Sequence, residues 1–147
     1  MKKYVGILVI LLSSLLVLMG GCSSPSSATQ PAPTAAAVKV VDISTSDAFN
    51  LIQNNQPASD FVILDVRTAS EFSGGHIARA TNIDFYAQDF KDQVNKLNHD
   101  NRYLVYCRTG VRSTQATQIM LSLGFKNLWN LTGGIAQWTT DGYQTTK

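Results

Sequence analysis

Short apolar runs alternate with amphipathic stretches along the chain from Val38 onward. Lys39-Val40-Val41 reads as a brief strand. Ser44 stands at a helix start with Asp47 three residues on, and Ala48, Phe49, Leu51 and Ile52 supply the apolar face of a helix to about Gln53. Phe61-Val62-Ile63-Leu64 is a continuous apolar run, the pattern of a buried strand, and it ends at Asp65. A short turn or helix is expected over Ala69 to Phe72, then the loop Gly74-Gly75-His76 and a strand over Thr81 to Asp84. Phe90, Val94 and Leu97 form one stripe of a helix, and Arg102 to Tyr106 is the next strand. A helix follows from Ser113 to Leu123, closed by Gly124. Leu128 to Leu131 gives a last strand and Ile135 to Thr140 a last helix.

This alternation predicts an α/β fold, with a central parallel sheet and helices on both faces. Such sheets bind ligands at the carboxyl ends of their strands. Asp65 and Cys107 both fall at such ends. No internal repeat, metal-ligand cluster or Gly-rich phosphate fingerprint is present, so neither a metal nor a cofactor is expected.

The N-terminus has a different pattern. Lys2 and Lys3 precede an apolar stretch from Tyr4 to Met19, broken by Gly6, Ser13 and Ser14. Gly20-Gly21-Cys22 then supplies small residues at a cleavage site, which reads as a signal peptide over residues 1–21. An uncleaved N-terminal anchor is the competing reading. Leu18-Met19-Gly20-Gly21-Cys22 resembles a bacterial lipobox, with Met19 where Leu is usual. That resemblance implies a lipidated Cys22 and an exported protein held to a membrane, on its periplasmic or extracellular face, by several acyl chains. Residues 22–38 continue as SSPSSATQPAPTAAA after the cysteine, with no charge and no large apolar side chain, and read as a disordered spacer. Residues 39–147 are left as the folded domain.

Charge adds an exclusion. Of 12 Lys and Arg residues, Lys2 and Lys3 belong to the leader, while all 10 acidic residues follow Cys22. The mature chain is then formally neutral and gives no reason to expect a nucleic-acid partner. With Cys22 assigned to lipid, Cys107 has no partner for an intrachain disulfide.

Cys107 ends the apolar run Arg102 to Tyr106 and opens the loop Cys107-Arg108-Thr109-Gly110-Val111-Arg112 before a helix. Amides of the loop and first helical turn, aided by the helix dipole, favour negative charge at the sulfur. Such a thiol is nucleophilic near neutral pH. Buried at a strand end, the same residue would be a small inert hydrophobe. Arg108 and Arg112 are either anion-orienting groups or solvated charges. Gly110 can take a positive φ. Asp65 reads as a brace for the loop and Arg67 as a partner of Glu71 at i, i+4. His76 and His99 read as a structural and a solvated histidine, and Trp129 and Trp138 as core or rim aromatics.

Four separated motifs resemble the rhodanese family of sulfurtransferases. They are Leu64-Asp65-Val66-Arg67-Thr68 with Glu71-Phe72, Gly75-His76-Ile77-Ala78-Arg79-Ala80-Thr81-Asn82-Ile83, the Cys107–Ser113 loop, and Gly133-Gly134-Ile135-Ala136-Gln137-Trp138. Arg79 stands where that family usually has Gly. The resemblance implies a three-layer rhodanese-like fold. It implies that Cys107 takes the outer sulfur of a small anionic donor, thiosulfate or a persulfide, and yields it to a thiol or cyanide acceptor. Arg108, Thr109, Gly110, Val111 and Arg112 would bind the donor. A non-catalytic binding or redox-sensing module is the alternative. Phosphatases and arsenate reductases of similar fold use a loop one residue longer, which sets them further away.

Overall fold

The computed structural model describes residues 39–147. The signal peptide assigned to residues 1–21, the lipidated Cys22 and the spacer to residue 38 lie outside the described residues.

Five parallel strands form one sheet in the order β1-β5-β4-β2-β3, where β1 is Val40–Ile43, β2 Phe61–Asp65, β3 Thr81–Asn82, β4 Arg102–Tyr106 and β5 Asn127–Leu131. The expected α/β architecture is therefore present. The apolar run of β4 is explained by its place in the middle of the sheet. Tyr103, Leu104, Val105 and Tyr106 are all buried, because a central parallel strand is covered on both faces.

The period of two then sorts side chains between two cores. Tyr103, Val105 and Cys107 pack with Leu64, Val66, Phe90, Val94, Ala116 and Met120 on one face. Leu104 and Tyr106 pack with Ile63, Ala48, Ile52, Ile135 and Trp138 on the other. Helices α3 (Phe90–Asn95) and α4 (Val111–Ser122) cover the first face, and α1 (Thr45–Asn54) and α5 (Gly134–Thr140) the second. Each fully buried Val, Leu or Ile contributes roughly 1.5–3 kcal/mol of transfer free energy.

Local chemistry sets the helix ends. Ser44 caps α1, its Oγ accepting from the Asp47 amide at 3.1 Å. Gly124 follows α4 at φ +95, with Phe125 N donating to Met120 O and Gly124 N to Leu121 O, the paired bonds of a Schellman motif. Helix α4 begins at Val111, two residues before the expected start, because Gly110 at φ +98 turns the chain straight into it. The expected helix over Phe90 to Leu97 stops at Asn95, where i→i−3 bonds from Lys96 and Leu97 tighten the last turn. The strand expected to Asp84 ends at Asn82, although Ile83 N still donates to Asp65 O. Arg79 has φ +67, the left-handed conformation that glycine adopts without cost.

Candidate active site

The carboxyl end of central β4 delivers Cys107 to the sheet edge, and Gly110 folds the loop back over it. The Gly110 amide donates to Cys107 Sγ at 3.2 Å. The Ser113 hydroxyl, in the first turn of α4, lies 3.6 Å from the same sulfur and 3.0 Å from Gly110 O. Burial is the largest influence on the thiol and acts upward, since it disfavours charge. The Ser113 hydroxyl and the amides of Ser113, Thr109 and Gly110 act together in the opposite direction and leave the pKa below its ordinary value. The residue as a whole is 1% exposed, so the sulfur sits at the base of the loop. Thr109 and Val111 are exposed on the loop's rim.

The two loop arginines have different fates. Arg112 makes a two-point ion pair with Glu71, Nη1 to Oε2 at 2.7 Å and Nη2 to Oε1 at 2.8 Å, and its guanidinium lies 5.4 Å from the centroid of the Tyr86 ring. Arg108 is exposed and has no ion-pair partner among the described residues. It borders a cleft of about 390 Å³ whose walls include Arg67, Ser70, Glu71, Thr139 and Thr145.

Glu71 itself is held firmly. It occupies the third position of α2 (Ala69–Ser73), and Thr68 is the N-cap. The Thr68 hydroxyl accepts from the Glu71 amide at 3.2 Å, while Glu71 Oε2 accepts from Thr68 N and Oγ1 at 3.1 Å each. This is a capping box, written in the sequence as Thr-x-x-Glu. The Arg112 pair, reinforced by the Thr68 bonds, brings the Glu71 carboxyl down to about 2.

The expected pairing of Arg67 with Glu71 does not occur. Arg67 curls back on Asp65, with Nε to Oδ2 at 2.9 Å and Nη2 to Oδ2 at 2.6 Å, and Nη2 also donates to Gly75 O at 2.7 Å. Both side chains are buried, and a buried guanidinium requires a carboxylate close by, whereas Glu71 is taken by Arg112. Asp65 therefore ties the end of β2 to the Gly75 loop through Arg67, and among the described residues its carboxylate accepts hydrogen bonds from Arg67 rather than from the Cys107 loop. Asn82 Nδ2 completes this knot by donating to Asp65 O and Arg67 O. His76 stacks on Phe72 at 3.8 Å, with Nδ1 3.1 Å from Phe72 O. His99 stacks at 4.2 Å on Phe125, so it is more than a solvated loop residue.

The start of α5 supports the loop from the other side. Ile135 N donates to Cys107 O at 2.9 Å and Ala136 N to Arg108 O at 3.0 Å. Sequence reasoning grouped Gly133 and Gly134 in a motif without this contact, and it assigned no role to Glu71 at Arg112, Ser113 at the sulfur or Tyr86 under the guanidinium. The Thr68-x-x-Glu71 spacing is a local signal for the cap. Apart from Ser113, six residues from Cys107, the other contacts join residues distant in sequence and leave no periodic trace.

The model of the rhodanese-like domain family matches residues 44–141. Among curated relatives, the chain is 37% identical over 76 residues to uncharacterized protein YqhL of Bacillus subtilis, covering 52% of this chain and 59% of that one. It is 33% identical over 119 residues to thiosulfate sulfurtransferase 18 of Arabidopsis thaliana, covering 73% of this chain and 84% of the relative. Among solved structures, a rhodanese-like domain protein from Staphylococcus aureus superposes with a TM-score of 0.60 at 27% identity, covering 73% of this chain and 99% of the other.

Proposed function

Because this chain belongs to the rhodanese-like domain family, we propose that it is a sulfurtransferase carrying sulfane sulfur on Cys107. The observation that carries the reading is the donation of the Gly110 amide to Cys107 Sγ, with the Ser113 hydroxyl beside it, at the end of the central strand. In the forward half-reaction the Cys107 thiolate attacks the outer sulfur of thiosulfate. The new S–S bond forms as the old one breaks, and sulfite leaves with the electron pair. Cys107 is left as a persulfide anion under the same amides. An acceptor thiolate or cyanide then attacks the outer persulfide sulfur and returns Cys107 as thiolate, which completes a double displacement. Amides aimed at the sulfur serve both charged forms without rearrangement.

Arg108, exposed and unpaired at the cleft, is the group suited to steer an anionic donor. The six-residue loop from Cys107 to Arg112 supports sulfur transfer over phosphoryl transfer, since the related phosphatases use a longer loop. The Arabidopsis relative, a thiosulfate sulfurtransferase by name, supports the same class. Thiosulfate:cyanide turnover that disappears in Cys107→Ser is the expected result, and turnover that survives the substitution overturns the reading.

Export and anchoring form a second part of the proposal. They rest on the Lys2-Lys3 and apolar leader, the Gly20-Gly21-Cys22 junction and the uncharged spacer. Cys22→Ala is expected to move the protein from the membrane fraction to the soluble one. Retention in the membrane would instead support an uncleaved anchor.

A further inference from the structure

Arg108 and Arg112 belong to the reactive loop and Arg67 shares a cleft with Arg108; two of these three guanidiniums are already neutralised. Arg67 is bound to Asp65 and Arg112 to Glu71, which leaves Arg108. The Arg112 pair is unusually constrained for a pair near a surface. Both partners are largely covered, with side-chain exposures of 13% and 30%. The capping box prevents the carboxylate from swinging away, and the Tyr86 ring sits against the guanidinium. Glu71 also lines the cleft that Arg108 borders, so its charge faces whatever enters. An incoming dianion therefore meets, among the described residues, one cation without an ion-pair partner beside the neutralised Arg112–Glu71 pair. To recruit Arg112 it would have to break two charge-assisted bonds.

We propose that Glu71 is a specificity-determining residue which masks Arg112, so that the site selects singly charged sulfur donors, such as thiosulfonates or small organic persulfides, over dianionic thiosulfate. The inference rests on the sulfurtransferase reading and goes beyond it. It assigns Arg112 to the architecture of the loop rather than to donor binding. It also makes the donor preference a property of a residue outside the loop.

Glu71→Gln is the direct test, because Gln at the third helical position keeps the capping box while removing the charge. The first readout needs no sulfur chemistry. It is the ratio of Cys107 alkylation by anionic iodoacetate to that by neutral iodoacetamide, measured on the Cys107 peptide of the full-length chain at low salt. Unmasking Arg112 is expected to raise that ratio about five- to tenfold, the scale of one nearby charge at effective protein dielectric. Glu71→Gln combined with Arg112→Gln is expected to restore the wild-type ratio. Arg112→Gln alone, which bares the carboxylate, is expected to lower it, and this variant gives a second sign to check should the first fold poorly. The second readout is persulfide formation from thiosulfate relative to methanethiosulfonate, expected to shift toward thiosulfate in Glu71→Gln through a lower KM. An unchanged alkylation ratio in both single variants, or a rise that persists in the double variant, overturns the mask. A wild-type protein that takes sulfur from neither donor while the alkylation ratio still moves overturns the sulfurtransferase reading instead.

Discussion

Gly134 and the Cys107 carbonyl meet backbone to backbone. A Cβ at Gly134 would collide with Cys107 O and stand 2.6 Å from Arg108 O, and its φ of +59 is itself unfavourable for a side chain. The first turn of α5 thus serves as a mould for the reactive loop, with Ile135 N and Ala136 N holding the two loop carbonyls. Gly134→Ala is expected to cost about 2–4 kcal/mol of stability by urea denaturation, since neither backbone can yield cheaply. It should also slow Cys107 alkylation at pH 7 under conditions where the protein remains folded.

The Ser113 hydroxyl is a separable support of the thiolate. In Ser113→Ala the Gly110 carbonyl keeps the Thr114 amide and hydroxyl as donors, at 3.0 Å and 2.9 Å, so no buried acceptor is orphaned. Loss of a bond to the charged form moves the thiol pKa upward. The pH profile of iodoacetamide alkylation is therefore expected to shift to higher pH, with the rate at pH 7 falling about three- to tenfold. A profile that does not move would remove Ser113 from the machinery.

Among the described residues, Asp65 supplies the only carboxylate paired with the buried Arg67 guanidinium. Asp65→Ala strands that charge next to the Tyr106 ring, 5.8 Å away, and is expected to cost about 3–5 kcal/mol in chemical denaturation. Asp65→Ala with Arg67→Met should recover a large part of that loss, because it removes the unpaired charge as well.

Arg79 carries a backbone conformation that its side chain opposes. Arg79→Gly is expected to raise stability by about 0.5–1 kcal/mol, the left-handed penalty less the entropy that glycine adds to the unfolded chain. A thermal melt compared with wild type checks the sign.

These residues also mark how far the sequence could be read. The order of strands and helices was legible because each carries a local pattern: the unbroken apolar run of Phe61 to Leu64, the Ser44 cap, the Gly124 stop. Arg79 was legible as an oddity, a non-glycine where the motif it resembles has glycine, and its φ of +67 gives the oddity a physical basis. Element ends were less readable, as at Asn82 and Asn95, where tertiary hydrogen bonds and a tightened last turn decide the boundary. Within the site, Cys107 announced itself by its place between a strand and a helix. Its neighbours did not. Local spacing favoured Arg67 with Glu71, whereas burial committed Arg67 to Asp65 and left Glu71 for Arg112, 41 residues away in sequence. Which of the two loop arginines is held in an ion pair is set by that distant carboxylate, and no periodicity encodes it.

Intact-mass measurement after a single exposure to thiosulfate tests the central claim most directly. The wild-type chain is expected to gain the mass of one sulfur atom, localised to the Cys107 peptide and discharged by added cyanide, while Cys107→Ser gains none. A wild-type chain that gains no sulfur, or a Cys107→Ser chain that gains it equally, would contradict the account.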